Sequence, residues 1–185
     1  MDCCWCDCLM LPSLIGIIAS SGGAVVGTDY ESIATVTPYT TTTTVEFNSI
    51  PATYTHLQVR AFIMGSGYST LRFNGDTTTS NYRDHYVGGT GAVAFAGTDA
   101  SQAYFANLGS TDGVGLVLDV LDYANTNKYK TQRTLNGFDK NGSGEISLHS
   151  SLWMSTAAIS SIMVTAGSGT FASGSHFALY GIKGA

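Results

Sequence analysis

The sequence predicts an all-β chain built as an antiparallel sandwich or barrel, and three observations predict it. Charged residues make up only 11% of the 185 residues, while threonine, serine, tyrosine and 22 glycines crowd the remaining polar positions. Helix surfaces are normally filled by Glu, Lys, Arg and Gln, which lose little rotamer freedom there, whereas Thr, Val, Tyr and Gly favour strands and turns. From Glu31 onward the apolar residues recur with a period of two, the mark of strands with one buried face. Turn signals interrupt that pattern at short intervals, as in sandwiches and barrels. No repeat with a period of about 20 to 50 residues is visible, which disfavours a propeller or solenoid.

The length suits one domain with a core of its own. The formal charge of −5, from 8 basic and 13 acidic residues, leaves no basic surplus to neutralise a nucleic-acid backbone, so no nucleic-acid partner is expected.

The chain divides into an amino-terminal arm, residues 1–27, and a body, residues 28–185. All four cysteines, Cys3, Cys4, Cys6 and Cys8, stand in the arm, so the body cannot be a disulfide scaffold. Cys3 and Cys6 have C-x-x-C spacing, but tetrahedral zinc draws on two separated pairs. Bridges between such near neighbours are strained by the Cα separation a disulfide needs, a limit that chain-to-chain bridges escape. Inter-chain disulfides are therefore the leading expectation, ahead of free thiols. The apolar run from Leu9 to Ala19 is too short to span a bilayer, which takes about 20 residues, and Pro12 and Gly16 break it. A secretory signal would want Lys or Arg before the run, where Asp2 and Asp7 stand. Leu9, Leu11, Leu14, Ile15, Ile17 and Ile18 are the expected contacts of an assembly arm buried against another subunit. The alternative is one more strand of the same sandwich.

Along the body, the five threonines Thr40 to Thr44 suit an exposed hairpin or edge strand. Leu57, Val59, Ala61 and Ile63 share one face of a strand, Gly65-Ser66-Gly67 turns the chain, and Leu71 and Phe73 point inward before the turn pair Asn74-Gly75, which together predict a hairpin. In Val114 to Tyr123 both faces are apolar, which predicts a central strand covered on both sides. Asn125-Thr126-Asn127 turns it into a half-polar strand, Lys128 to Phe138. Strands at Glu145 to Trp153, Ile159 to Thr165 and Phe177 to Ile182 bring the expected total to about ten.

Chemistry-bearing motifs are few. Asp139, Asn141 and Ser143 match the opening of a calcium loop, with Gly144 following, but position twelve is Ser150 instead of glutamate and the flanks alternate as strands. A glycine-rich turn explains the same residues without a metal, and no cofactor is expected. Asp84 and His85 cannot pair if the segment is extended, since sequence neighbours face opposite ways. His56, His149 and His176 stand alone, and there is no G-x-S-x-G elbow, so no catalysis is expected. The ten tyrosines and two tryptophans suit either packing or stacking on sugar rings, and Trp153 is expected in the core.

Tyr30 to Val36 (YESIATV), Phe47 to Arg60 (FNSIPATYTHLQVR), Trp153 to Ile159 (WMSTAAI) and Phe177 to Lys183 (FALYGIK) together resemble the small virion structural proteins of tailed bacteriophages. The resemblance runs from about Tyr30 to the carboxyl end and leaves out the cysteine-rich start. It implies a jelly-roll-like sandwich and a place on the outer surface of a virion made in the host cytoplasm, without site residues. Expected partners are other virion proteins, further copies of this chain as a homo-oligomer, with a trimer favoured for a fibre, and a host-surface glycan. A capsid decoration protein and a secreted lectin-like module are the alternatives.

Overall fold

The computed structural model describes residues 29–109 and 113–184. The whole assembly arm and its boundary with the body therefore lie outside the described residues, and with them the four cysteines and the apolar contacts from Leu9 to Ile18.

The described chain forms β1 (Tyr30–Val36), β2 (Thr44–Phe47), β3 (His56–Ile63), β4 (Gly65–Phe73), β5 (Tyr82–Gly89), β6 (Ala94–Asp99), β7 (Ala103–Asn107), β8 (Val114–Leu121), β9 (Lys130–Asp139), β10 (Gly144–Trp153), β11 (Ile162–Phe171) and β12 (His176–Ile182). Among the described residues the only helical element is the single 3-10 turn Thr79–Asn81. The strands pair antiparallel in two sheets, of order β1-β12-β3-β8-β9-β10-β5-β6 and β2-β11-β4-β7. Set aside the two inserts, β5-β6 and β9-β10, and what remains is β1-β12-β3-β8 over β2-β11-β4-β7, the strand order of a jelly roll. Both inserts extend the first sheet sideways, so it reaches past the edge strand β7 of the second.

The apolar core sits under the jelly-roll half. Leu57, Val59 and Ile63 of β3, Leu116, Leu118 and Val120 of β8, and Phe177 and Leu179 of β12 face Val45, Phe47, Leu71, Phe73, Phe105, Ile162 and Val164 of the second sheet. Trp153 is buried as expected and packs on Phe73, with ring centroids 5.6 Å apart. Thr44 opens β2, an edge strand, as the threonine run predicts.

Three expectations are corrected. Among the described residues the strands number twelve rather than about ten. The segment from Leu57 to Phe73 is no hairpin: β3 pairs with β12 and β8, while β4 pairs with β11 and β7, and the chain passes from one sheet to the other at Met64. Gly65-Ser66-Gly67 is accordingly part of β4. Gly67 (φ 85°) lies opposite Gly169 (φ 76°) of β11, and a Cβ on Gly67 would stand 2.2 Å from the Ser168 carbonyl oxygen, so glycine is required there by backbone conformation and by space. Third, β8 is central in the hydrogen-bonded order but is covered on one face only, with Val117 and Leu121 exposed on the other. The β8-β9 hairpin forms as expected.

The loop from Asn74 to Asn81 carries the chain out of the jelly roll into the inserted strand β5, and Asp76 fixes it. Its carboxylate accepts hydrogen bonds from the Trp153 indole (2.7 Å), the Asn81 amide (2.8 Å) and the Thr78 backbone N–H (2.9 Å). Partial burial pushes the Asp76 carboxyl up, but those hydrogen bonds outweigh it and bring the group down to about 2. An unfolded aspartate titrates near 3.9. The stabilisation is therefore complete above pH ~4 and is lost as pH falls from about 4 towards 2. Asp76→Asn is expected to flatten the acid limb of the melting-temperature profile between those values, and to cost about 1–2 kcal/mol at neutral pH once solvent screening is allowed for. Thermal melts of both proteins across that range check it.

Candidate functional site

The inner face of the inserted sheet is polar. Pairing across β9, β10, β5 and β6 lines up three rows: Gln132, Ser151, Asp84 and Asp99; Thr134, His149, Tyr86 and Gly97; Asn136, Ser147, Gly88 and Phe95. Gln132, Thr134, Asn136, Ser147, His149, Ser151 and Asp84 are all buried. In β9 the expected alternation is present, with its polar face turned inward and Leu135 turned out. Strand β7 of the second sheet covers part of this face, with the Gln132 side-chain amide donating to the Tyr104 carbonyl (2.9 Å) and the Asn107 N–H to the Asn136 side-chain oxygen (3.4 Å).

Asp84 is the hub. One carboxylate oxygen accepts from Ser151 Oγ at 2.5 Å and the other lies 2.8 Å from His149 Nδ1. Against a carboxylate, which only accepts, Nδ1 is the donor and Nε2 is left free to accept. The imidazole is clamped between two rings, Tyr104 stacked at 4.0 Å between centroids and Tyr86 at 5.3 Å. This is not the geometry of a serine hydrolase, because Ser151 donates to the carboxylate and has no imidazole base on it. His85 points to the opposite face from Asp84, as expected of strand neighbours. His149 is isolated in sequence but not in space, a correction that follows from β5 lying beside β10.

Beyond the edge of β7 the inner face opens into a cleft of about 390 Å³, lined by Asp84, Tyr86, Phe95, Asp99, Gln102, Tyr104, Glu145, Ser147 and His149, with Thr98 at its rim. Two glycines shape its aromatic wall. A Cβ on Gly88 would stand 2.4 Å from the Phe95 ring and one on Gly97 2.5 Å from the Tyr86 hydroxyl, so each ring lies across a neighbouring strand where any side chain would lift it. The acidic groups are tied down within the protein. Asp99 accepts from the Ser101 N–H and hydroxyl and from Gln102 (2.7, 2.6 and 2.9 Å), and both Glu145 oxygens accept from the Asn107 amide (3.0 and 2.9 Å). Burial pushes the Asp99 carboxyl up, yet the hydrogen bonds from Ser101 and Gln102 outweigh it and hold it below the usual carboxylate range. Burial, and then the charges of Glu145 and Asp84, push the Tyr104 phenol far above its ordinary value, so it remains a neutral donor.

Among the described residues, four of the buried polar atoms without a hydrogen-bond partner belong to this same face: Gln132 Oε1, Thr134 Oγ1, Asn136 Nδ2 and Ser147 Oγ. Sequence alone had no means of finding Tyr104, Gln102, Glu145 or Ser151, which carry no catalytic or binding motif and come from only two segments, β7 with the residue before it and β10, that lie far apart in the chain.

The remaining candidates lie elsewhere. Asp139, Asn141 and Ser143 belong to the hairpin turn joining β9 to β10, where Asn141 (φ 41°) and Gly142 (φ 105°) take the two left-handed positions and the Lys140 N–H donates to the Ser143 carbonyl at 2.7 Å. The Asp139 carboxylate accepts from the Asn141 N–H at 3.0 Å, and strands flank the turn where a calcium loop has helices. Among the described residues no three His, Cys, Asp or Glu side chains group to hold a metal ion, and no helix is long and apolar enough to cross a membrane. His56 Nδ1 accepts the Asp122 N–H at 2.9 Å, a structural role.

The outer face of the same extended sheet contrasts with the inner. Val117, Leu135, Leu148 and Val87 lie opposite one another in register across β8, β9, β10 and β5, and continue to Ala96 of β6. Leu135, Leu148 and Val87 are 49%, 45% and 54% exposed, with exposed Phe62 and Ile146 on the next row. Fold and site together define a jelly-roll sandwich widened on one side, with a polar cleft inside the widening and an apolar face outside it. No protein family matches the chain, and neither a curated protein nor a solved structure matches it.

Proposed function

We propose that this chain is a non-enzymatic structural component of a tailed-phage particle, a fibre, collar or appendage protein held by residues 1–27 and associating with further copies of itself through the outer face of its wide sheet. The apolar row from Val117 to Ala96 is the observation that carries the association. Isolated exposed apolar residues are ordinary, but a contiguous row across five strands is a docking surface. A second copy is the occupant because the face carries both signs beside its apolar row, with Asp119 of β8 directly opposite Arg133 of β9 and Arg60 of β3 beside Val117, so a copy of the same face brings opposite charges of its own. The resemblance of the body to phage structural proteins and the jelly-roll order support the particle assignment.

Quantitative gels of purified virions test it. A fibre or collar protein is expected in tens of copies per particle. Hundreds of copies, with capsids less heat-resistant when the protein is missing, would make it a decoration protein instead, and absence from virions would overturn the assignment. On non-reducing gels of intact particles a ladder of multimers is expected; migration as monomer with complete thiol alkylation would remove the disulfide lock by Cys3, Cys4, Cys6 and Cys8.

A further inference from the structure

We propose that the cleft between β6, β10 and β7 binds a single uncharged sugar ring. The proposal does not depend on the particle assignment, since it rests on the composition of the cleft. Ring-shaped, hydroxyl-rich ligands need an apolar wall for the ring face and a mixture of fixed donors and acceptors around its rim. Phe95 supplies the wall, seated across Gly88. Glu145 supplies acceptor oxygens already oriented by Asn107. His149 Nε2 has no partner among the described residues and its ring is fixed by Asp84 and the two tyrosines.

The observation that points to a ligand is His149. It is 5% exposed, lines the cleft, and has its Nδ1 taken by Asp84, while its Nε2 has no partner among the described residues, which costs free energy unless something in the cleft completes it. A sugar hydroxyl can pair with it there. The charge pattern sets the class: Asp84, Asp99 and Glu145 line the cleft and no Lys or Arg does, so phosphates, sulfates and acidic sugars are repelled. The three carboxylates are each held by internal hydrogen bonds, which makes them acceptors for hydroxyls more than counter-ions for a free cation. A volume of about 390 Å³ lies at the small end of ligand sites and admits a ring-sized guest.

The test uses the full chain and the methyl glycosides of glucose, galactose, mannose and N-acetylglucosamine, read by saturation-transfer NMR and titration at millimolar concentrations. At least one is expected to bind, and Ser147→Leu, which fills the cleft, is expected to weaken it at least about tenfold. Phe95→Ala, on the edge strand β6 and outside the core, is expected to do the same with the melting temperature nearly unchanged, which keeps the test valid if Ser147→Leu folds poorly. No binding by any of the four, binding untouched by Phe95→Ala in the folded protein, or preference for choline or sialic acid over all of them would each overturn the proposal. Gels of virions are unaffected by this outcome, so the two proposals fail separately.

Discussion

Asp84→Ala is expected to lower the unfolding free energy by about 3–5 kcal/mol, the largest single effect outside the apolar core. The carboxylate is 1% exposed and binds Ser151 and His149 at 2.5 and 2.8 Å. Removing it deletes two hydrogen bonds to a charged acceptor, each worth about 1.5–3 kcal/mol, and leaves the buried Ser151 O–H without an acceptor, although its oxygen still accepts from Gln132, and a buried imidazole N–H with nothing to bond. The imidazole stays caged between Tyr104 and Tyr86, so it cannot swing out to water for compensation. Asp84→Asn keeps the shape and one acceptor and is expected to cost about 1–2 kcal/mol. Urea unfolding with an unchanged m-value measures both. Against total stabilities of about 5–15 kcal/mol for a domain, the alanine variant would sit near the edge of folding at 37 °C. A loss below about 1 kcal/mol would mean that Ser151 and His149 find other partners and that Asp84 is not the hub of this interior.

What could be read from the sequence is what is local. Asn74-Gly75 and Asn141-Gly142 take the paired positive φ angles that such dipeptides favour, and each turn falls where the sequence puts it. Period-two alternation located most of the strands. It could not tell which face of β9 lies inside, because alternation has a phase but no direction, and here the usual sign is reversed: Lys130, Gln132, Thr134 and Asn136 are buried while Leu135 is exposed. The same limit turned the β3-β4 corner into a hairpin. Both strands alternate correctly on either topology, and the choice is made by pairing with β11 and β12, a hundred residues further on. The candidate site was illegible for a related reason. Asp84 and His149 meet across 65 residues only because the two inserts land side by side at one end of the sheet, and neither insert carries a motif that announces its neighbour.

The outer face yields the second large effect, on association. Leu135 and Leu148 lie directly opposite each other on β9 and β10, both about half exposed, so Leu135→Lys with Leu148→Glu places an opposite-charge pair across adjacent strands. In the isolated subunit that pair is solvated and worth a few tenths of a kcal/mol, so stability is expected to hold within about 0.5 kcal/mol. At a subunit interface the same two side chains must lose their water in the middle of an apolar row. Desolvating them costs several kcal/mol that a flat apolar partner cannot return. The dissociation constant is therefore expected to rise by about a hundredfold or more, each 1.4 kcal/mol being a factor of ten. Sedimentation equilibrium of the wild type and the double variant over a range of concentrations checks this, and the fitted mass of the wild type distinguishes the dimer that two stacked faces make from the trimer expected of a fibre. A wild-type chain that stays monomeric throughout, or a variant that associates as tightly, would show that this face does not join copies of the protein. Because the cleft lies on the opposite side of the same sheet, sugar binding by the double variant should match that of the wild type, which ties any lost association to the outer face alone.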